Sequence, residues 1–301
     1  MPYPCVLVKI FTQKYLHDNI TYYKYNYYIL KVLSKYILNL RRYKELGSVI
    51  TFINEKGGVG KSSVCFNSAW ELANKGKNIL LIDLNGQKAN ISFFTGAYKE
   101  DNITMADVFK HNADINSGIL NVKQNLDIIP ANISVASLSI MDAKVSKFRH
   151  AFKQIHNTYD FIFIDVNPAP GWSHYLSLSV SDFAIIVMLP DIASLEGNKG
   201  ILNTISEIQQ TTNPNLKILG FLINKFDSRT TLSKKVIETI ETLASNVNSR
   251  VFKNKIRQSV LLSENILEHK GITDYARKSV PARNYSRFVN EFEDAINEAI
   301  S

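Results

Sequence analysis

The segment Val49–Ser63, VITFINEKGGVGKSS, gathers the residue types that bind phosphate. Gly57, Gly58 and Gly60 keep the backbone clear of Cβ atoms, so that successive N–H groups can close on one anion. Lys61 is placed to reach the β- and γ-phosphates of a nucleotide, and the Ser62 hydroxyl to hold Mg2+. Val59 and Ser63 belong to the same cradle, where the loop runs into a helix N-terminus. The general pattern G-x-x-x-x-G-K-[ST] asks for glycine at position 55, where Glu55 stands. Lys56 adds a second positive charge inside the loop, and a lysine there can carry charge to a nucleotide across an interface. The plain alternative, a glycine turn flanked by two solvated lysines, makes no use of the strand before it or the helix after it.

Three further places offer matching chemistry. Phe161-Ile162-Phe163-Ile164-Asp165 is an apolar run closed by an acid, the Walker B form, whose carboxylate reaches Mg2+ through water. An aspartate that merely caps the next turn is the simpler reading of that position taken alone. NILLIDL (78–84) delivers Asp83, Asn85 and Gly86 to the C-terminal edge of a sheet, where ligands of open α/β sheets bind. Asn224-Lys225-Phe226-Asp227 has the N-K-x-D form of a nucleobase-reading motif, which in GTPases pairs its aspartate with guanine.

The elements that must position these groups alternate. Strands are expected at 49–53, 78–84, 126–130, 161–165, 183–189 and 218–223, the second apolar nearly throughout, as a doubly covered parallel strand must be. Helical segments are expected over 64–74 and around 137–156, with a helix-rich tail carrying Phe288, Phe292, Ile296 and Ile300 on one face. The alternation predicts an α/β fold with one doubly wound, mostly parallel sheet flanked by helices. The expected division is a helical extension over 1–47 and a P-loop ATPase domain over 48–301.

The extension differs in composition. Nine of the 14 tyrosines fall within residues 1–47, and residues 1–48 carry +6 of the net charge of +8. Ile29, Leu33, Tyr36, Ile37 and Leu40 recur at helical spacing, with Lys24, Lys31, Lys35 and Arg42 on another face, giving a basic amphipathic helix. Docking on the main domain or at a dimer interface, contact with DNA and contact with a membrane are all open to it. Elsewhere no run approaches 18 apolar residues, so no transmembrane helix is expected. Cys5 and Cys65 lie too far apart in sequence to form a metal motif, consistent with a reducing cytosol.

From these residues a family resemblance follows. Lys56-Gly57-Gly58-Val59-Gly60-Lys61-Ser62 resembles the deviant Walker A motif of the ParA/MinD ATPases, with Lys56 at the signature lysine. The likeness covers about residues 48–300 and continues through LIDLNGQ (81–87), YDFIFIDVNPAPG (159–171), SLEG (194–197), NKFDSRTTLS (224–233) and SVLLSENILEHKGITDYARKS (259–279). The last two blocks look like partition ATPases of the ParA (Soj-like) type rather than MinD. The resemblance implies ATP and Mg2+ as cofactors and an ATP-dependent sandwich homodimer in which each Lys56 contacts the opposite subunit's nucleotide. It also implies binding to nonspecific DNA of the nucleoid, release by a ParB-like centromere-binding adaptor, and a cytoplasmic, nucleoid-associated protein that segregates plasmid or chromosomal DNA. Lys56, Lys61, Asp83 and Asn85 are the implied catalytic positions, and Ser62 and Asp165 the metal positions. In this context Asn224 and Asp227 lie beside adenine, which favours ATP over GTP, and Arg257 falls where the family often has a proline next to the base. Arg229 occupies a DNA-contacting arginine position. A second such position is Leu261, for which Lys253, Lys255 and Lys270 are candidate substitutes.

Departures from the family pattern also shape the expectation. Asp-Leu-Asp-Pro-Gln stands here as Asp83-Leu84-Asn85-Gly86-Gln87, and Asp-x-Pro-Pro as Asp165-Val166-Asn167-Pro168. An amide can hold the attacking water but cannot take its proton. Slow hydrolysis is therefore expected, and at the limit a nucleotide-gated DNA-binding scaffold with little turnover. A MinD-like or other cargo-positioning ATPase is the nearest rival. Against the membrane form stands the acidic tail Glu291-Phe292-Glu293-Asp294, which anionic lipid repels. A nitrogenase-type reductase lacks its cluster thiolates here, and a bacterial tyrosine kinase carries its tyrosine cluster at the other end of the chain. Replacing Asn85→Asp should raise steady-state ATP turnover by about a hundredfold, the low end of what a positioned base contributes; fast turnover of the unaltered protein would refute the role given to Asn85.

Overall fold

The computed structural model describes residues 47–86, 90–139, 144–227 and 231–301. The expected extension over 1–47 lies outside the described residues except for Gly47, as does Arg229. Seven strands form one sheet in the order β3-β4-β2-β5-β1-β6-β7. They are β1 (Ser48–Ile53), β2 (Ile79–Leu84), β3 (Leu120–Lys123), β4 (Leu126–Ile129), β5 (Phe161–Val166), β6 (Phe183–Met188) and β7 (Lys217–Ile223). All neighbours pair in parallel except β3, which runs antiparallel to β4. The doubly wound, mostly parallel α/β sheet expected from the sequence is thus the observed one.

Every residue of β1, β2, β5 and β6 is buried, because helices cover both faces. One face packs against α1 (Lys61–Asn74), α2 (Ile91–Phe94), α10 (Ile272–Tyr275) and α11 (Val280–Ile300). Phe161, Phe163, Phe288 and Phe292 interlock there, with Phe163 and Phe292 edge to face at 5.7 Å between centroids. The other face is covered by α3 (Met105–His111), α4 (Ile133–Ala136), α5 (Val145–Ile155), α6 (Trp172–Val180), α7 (Ile192–Thr211) and α8 (Thr231–Asn246). The segment after α8 adds α9 (Leu261–Leu267).

Two local expectations need correction. A helix around 137–156 is too long at its start: α4 ends at Ala136, Ser137–Ser139 are not helical, and α5 begins only at Val145. Asn132 accounts for the early turn, since its side chain accepts the Ser134 N–H at 2.9 Å and caps α4. The edge strand β3 is not evident in the sequence. It is four residues, half exposed and bulged between Asn121 and Lys123, and joins β4 through a tight turn with Asn125 left-handed at φ 64°.

One close approach fixes the loop after β2. A Cβ at Gly86 would sit 2.3 Å from the Ala136 backbone nitrogen and 2.6 Å from the Ala136 Cβ. The family's proline at this position cannot be accommodated while α4 stays where it is. Gly86→Pro should therefore destabilise the fold by about 1–3 kcal/mol through overpacking, read as a lower urea midpoint with an unchanged m-value; an unaltered midpoint would show that α4 yields freely.

Candidate functional site

The loop between β1 and α1 is pinned from three sides. Asn54, buried at the end of β1, donates from Nδ2 to Val187 O at 2.8 Å and accepts the Lys56 N–H at 2.7 Å. Gly58 and Gly60 adopt φ of 74° and 92°, the left-handed region that glycine enters without strain. From the end of β7, Asn224 Nδ2 donates to Val59 O and Lys225 Nζ to Gly58 O, both at 2.7 Å. A Cβ at Gly60 would lie 2.3 Å from Asn224 Nδ2. The loop then delivers Gly60 as the N-cap of α1 with no side chain satisfying the first turn, so the N–H groups of Lys61, Ser62 and Ser63 are offered to an anion. Asn224 is a brace for the loop as well as an expected base contact, and its buried Oδ1 has no partner among the described residues.

Two carboxylates meet this helix start. The pairing of Asp83 with Asp165 across β2 and β5 puts both acids on the face that carries α1. Ser62 Oγ donates to Asp165 Oδ2 at 2.6 Å, while the buried Asp165 Oδ1 has no partner among the described residues. Burial pushes the Asp165 carboxyl up to about 6, against the pull of the Ser62 hydroxyl and the Lys61 ammonium. The same burial lowers Lys61, with Asp165 opposing it. A hard divalent cation fits this pair: it takes oxygen donors, finds one unsatisfied carboxylate oxygen, and supplies the charge the buried acid lacks.

Asp83 is placed differently from a free ligand. Its Oδ1 accepts the Asn85 N–H at 2.8 Å and its Oδ2 accepts the Ser92 N–H at 3.0 Å, with the Ser92 hydroxyl on the same oxygen. Ser92 Oγ in turn accepts the Ala131 N–H at 2.8 Å. Burial, then the charge of Asp165, holds the Asp83 carboxyl well above the usual range. Asp83 thus ties the exit of β2 to α2 and to the exit of β4. Asn85 is buried, donates its backbone N–H to Asp83 and accepts from Asn90 Nδ2 through its carbonyl.

Lys56, expected to reach a second subunit, pairs within its own chain: Nζ lies 2.9 and 3.0 Å from the two carboxylate oxygens of Asp191. The segment Asn224–Asp227 and Arg257 are brought together by backbone pairing, Phe226 N donating to Ile256 O at 2.9 Å. Lys255 Nζ sits 5.8 Å from the Phe226 ring centroid, and Lys253 is exposed on the same segment beside α11. Lys270 is exposed in the turn between α9 and α10, its carbonyl accepting from Asn265 Nδ2 at 2.7 Å.

Sequence reasoning did not single out Asn54, Lys225 or Asp191, nor two residues after Asp165. Ser173 Oγ donates to Asn167 Oδ1 at 3.1 Å, and His174 Nε2 bonds Asn167 O at 2.8 Å. Because the partner is a carbonyl, Nε2 carries the proton. Burial lowers the His174 pKa, helped by the nearby Lys61 ammonium. For Asn54 a signal existed: an asparagine closing an apolar strand before a glycine loop. For Asp191 and His174 there was none.

A sequence family described as AAA domain matches residues 47–218. The Bacillus subtilis sporulation initiation inhibitor protein Soj is 32% identical over 252 residues, 82% of this chain and 98% of Soj. The chain belongs to the ParA/MinD family of ATPases. The chromosome-partitioning ATPase Soj of Treponema pallidum is 30% identical over 82% of this chain and 97% of its own length. Among solved structures, the septum site-determining protein MinD of Pyrococcus horikoshii, complexed with Mg-ADP, superposes with a TM-score of 0.67 at 22% identity, covering 84% of this chain and 98% of that one. At that identity the match bears on the fold, and it is the ParA/MinD fold.

The raised Asp165 pKa makes a signed prediction for this ParA/MinD site. A carboxyl shifted from 3.8 to about 6 on folding costs nothing when protonated in both states; the cost accumulates as pH rises from the unfolded to the folded value and is complete above it. The full cost is on the order of 2–3 kcal/mol. His174, whose pKa is lowered, works in the opposite direction, so the difference between variants is the clean readout. In metal-free buffer, the stability of Asp165→Asn minus that of the unaltered protein should grow as pH rises from about 4 to about 7. A difference that is flat with pH would contradict the assignment.

Proposed function

We propose that this chain is a ParA-type partition ATPase that binds ATP with Mg2+, closes into a sandwich homodimer, and in that state holds nonspecific DNA. The observation that carries this reading is the Ser62–Asp165 contact at 2.6 Å beneath a loop bearing Lys56 and Lys61, in a chain matched along its length by Soj. The backbone of Gly57–Ser63 and Lys61 would cradle the phosphates, with Lys61 offsetting charge on the terminal ones. Ser62 and Asp165 would hold Mg2+, which supplies charge neutralisation across the β- and γ-phosphates. Asn224, Asp227 and Arg257 lie together where a base would be read. Asn85 offers no carboxylate to take the proton of an attacking water, so turnover is slow and the ATP dimer long-lived.

In this reading Lys56 leaves Asp191 and reaches the partner's nucleotide on dimerisation. Lys253, Lys255, Lys270 and Arg229 are the proposed DNA contacts, through phosphate and without sequence preference. A ParB-like adaptor would release the dimer, and the protein would act in the cytoplasm on the nucleoid. No described helix is long and apolar enough to cross a membrane. A MinD-like or cargo-positioning role is the second reading, with which the fold match to MinD is consistent. Opposed to its membrane form is the outer part of α11, which carries Glu291, Glu293, Asp294 and Glu298.

The deciding measurement is ATP hydrolysis and DNA retention of the full chain beside Lys61→Ala. Slow turnover above that blank, with DNA retained only in the presence of ATP, is expected. Retention should fall steeply with salt, and Lys253→Ala should reduce the slope of log affinity against log salt by about 1. DNA retention that ignores nucleotide, or none even at low salt, would overturn the partition reading.

A further inference from the structure

The end of β7 touches the phosphate loop with two consecutive side chains. Asn224 Nδ2 donates to Val59 O and Lys225 Nζ to Gly58 O, each at 2.7 Å. In an extended strand neighbouring side chains point to opposite faces, so the two could not both reach one loop. The chain leaves extended geometry here: Lys225 has φ 51°, in the left-handed region that a residue with a Cβ enters only at a cost. Folding alone does not explain that cost. Lys225 is exposed, and an exposed ammonium gains little by exchanging water for a carbonyl. A glycine would take up the same backbone without strain. What the lysine does to the loop explains its presence better than what it adds to stability.

We infer that Lys225 is a positioning residue of the phosphate site: its ammonium holds the Gly58 carbonyl on the β7 side of the loop and thereby turns the next N–H toward the anion. A trans peptide is planar, with its C=O and N–H antiparallel. Fixing Gly58 O toward Lys225 therefore points the Val59 N–H the opposite way, and fixing Val59 O toward Asn224 does the same for the Gly60 N–H. These two donors come just before the uncapped N–H groups of Lys61, Ser62 and Ser63 at the start of α1. Successive N–H groups aimed to one side make the concavity that closes on a phosphate. Glycine visits both signs of φ freely, so a loop of glycines without these anchors could turn either carbonyl inward, where an anion would repel it. The Lys225 charge also polarises the Gly58–Val59 peptide in the sense that strengthens its N–H as a donor. This rests on the reading of the loop as a nucleotide cradle and adds how its amides are aimed.

The test pairs affinity with stability in the full chain: calorimetric titration with ADP and with the non-hydrolysable triphosphate AMPPNP in Mg2+ buffer, and thermal unfolding without nucleotide. Lys225→Met keeps the stem and removes the donor. It should lower affinity for both nucleotides about threefold to tenfold, the range for one ordinary hydrogen bond, since both carry phosphates that the loop would hold. Lys225→Arg, which keeps a charged donor, should recover part of that loss. Lys225→Gly separates aiming from structure, because it removes the same donor but relieves the left-handed backbone. It should bind as weakly as Lys225→Met while unfolding at a higher midpoint. Affinity that simply follows the midpoint across these variants, or Lys225→Met binding like the unaltered chain, would overturn the inference. Lys61→Ala separates this from failure of the site itself. If Lys61→Ala weakens both nucleotides while the Lys225 variants bind like the unaltered chain, only the inference falls. If the unaltered chain binds neither nucleotide, the cradle reading falls and the inference with it.

Discussion

A carboxylate at the end of the central strand β5 sets the terms for everything around it. Asp165 is fully buried, one oxygen bound by Ser62 and the other without a partner among the described residues. A lone buried carboxylate is expensive, and the fold meets the cost with Lys61, itself desolvated and short of its full charge preference. The pair is poorly satisfied by itself and well satisfied by a phosphate–metal complex, which brings an anion for Lys61 and a cation for Asp165 together. Binding energy is stored in the site as unmet electrostatic demand, and the rigid all-buried strands beneath keep the groups from relaxing toward one another.

The neighbouring acid shows how position decides role. Asp83 stands beside Asp165 on the next strand, equally buried, yet each of its oxygens already accepts from Asn85 or Ser92. It works as a joint between the ends of β2 and β4 and the short helix α2. Asn85, Ser92 and Ala131 are thereby linked through Asp83 by three hydrogen bonds.

The central strands and the phosphate loop were readable from the chain because both are local: an apolar run needs only its own residues, and a glycine-rich turn followed by Lys-Ser states its geometry directly. The short edge strand β3 was not, since Leu120–Lys123 is half exposed and owes its conformation to a turn at Asn125 and pairing with β4. The start of α5 was misplaced because Asn132 caps a separate short helix first. Contacts across the fold were beyond reach altogether. Asn224 braces Val59 from 165 residues away and Lys56 meets Asp191 across 135, and no periodicity reports such a pairing. In each case the residue's type was visible and its partner was not.

The packing of Gly86 on Ala136 limits what can be exchanged between this chain and its relatives. Asn85 and Gly86 are adjacent departures from one family motif, and the second is fitted against a neighbouring backbone. A proline could stand at position 86 only if the backbone around Ala136 withdrew. The start of the loop after β2 and the short helix α4 fit as a unit, and a graft of either one alone from a relative would carry half of a fitted joint.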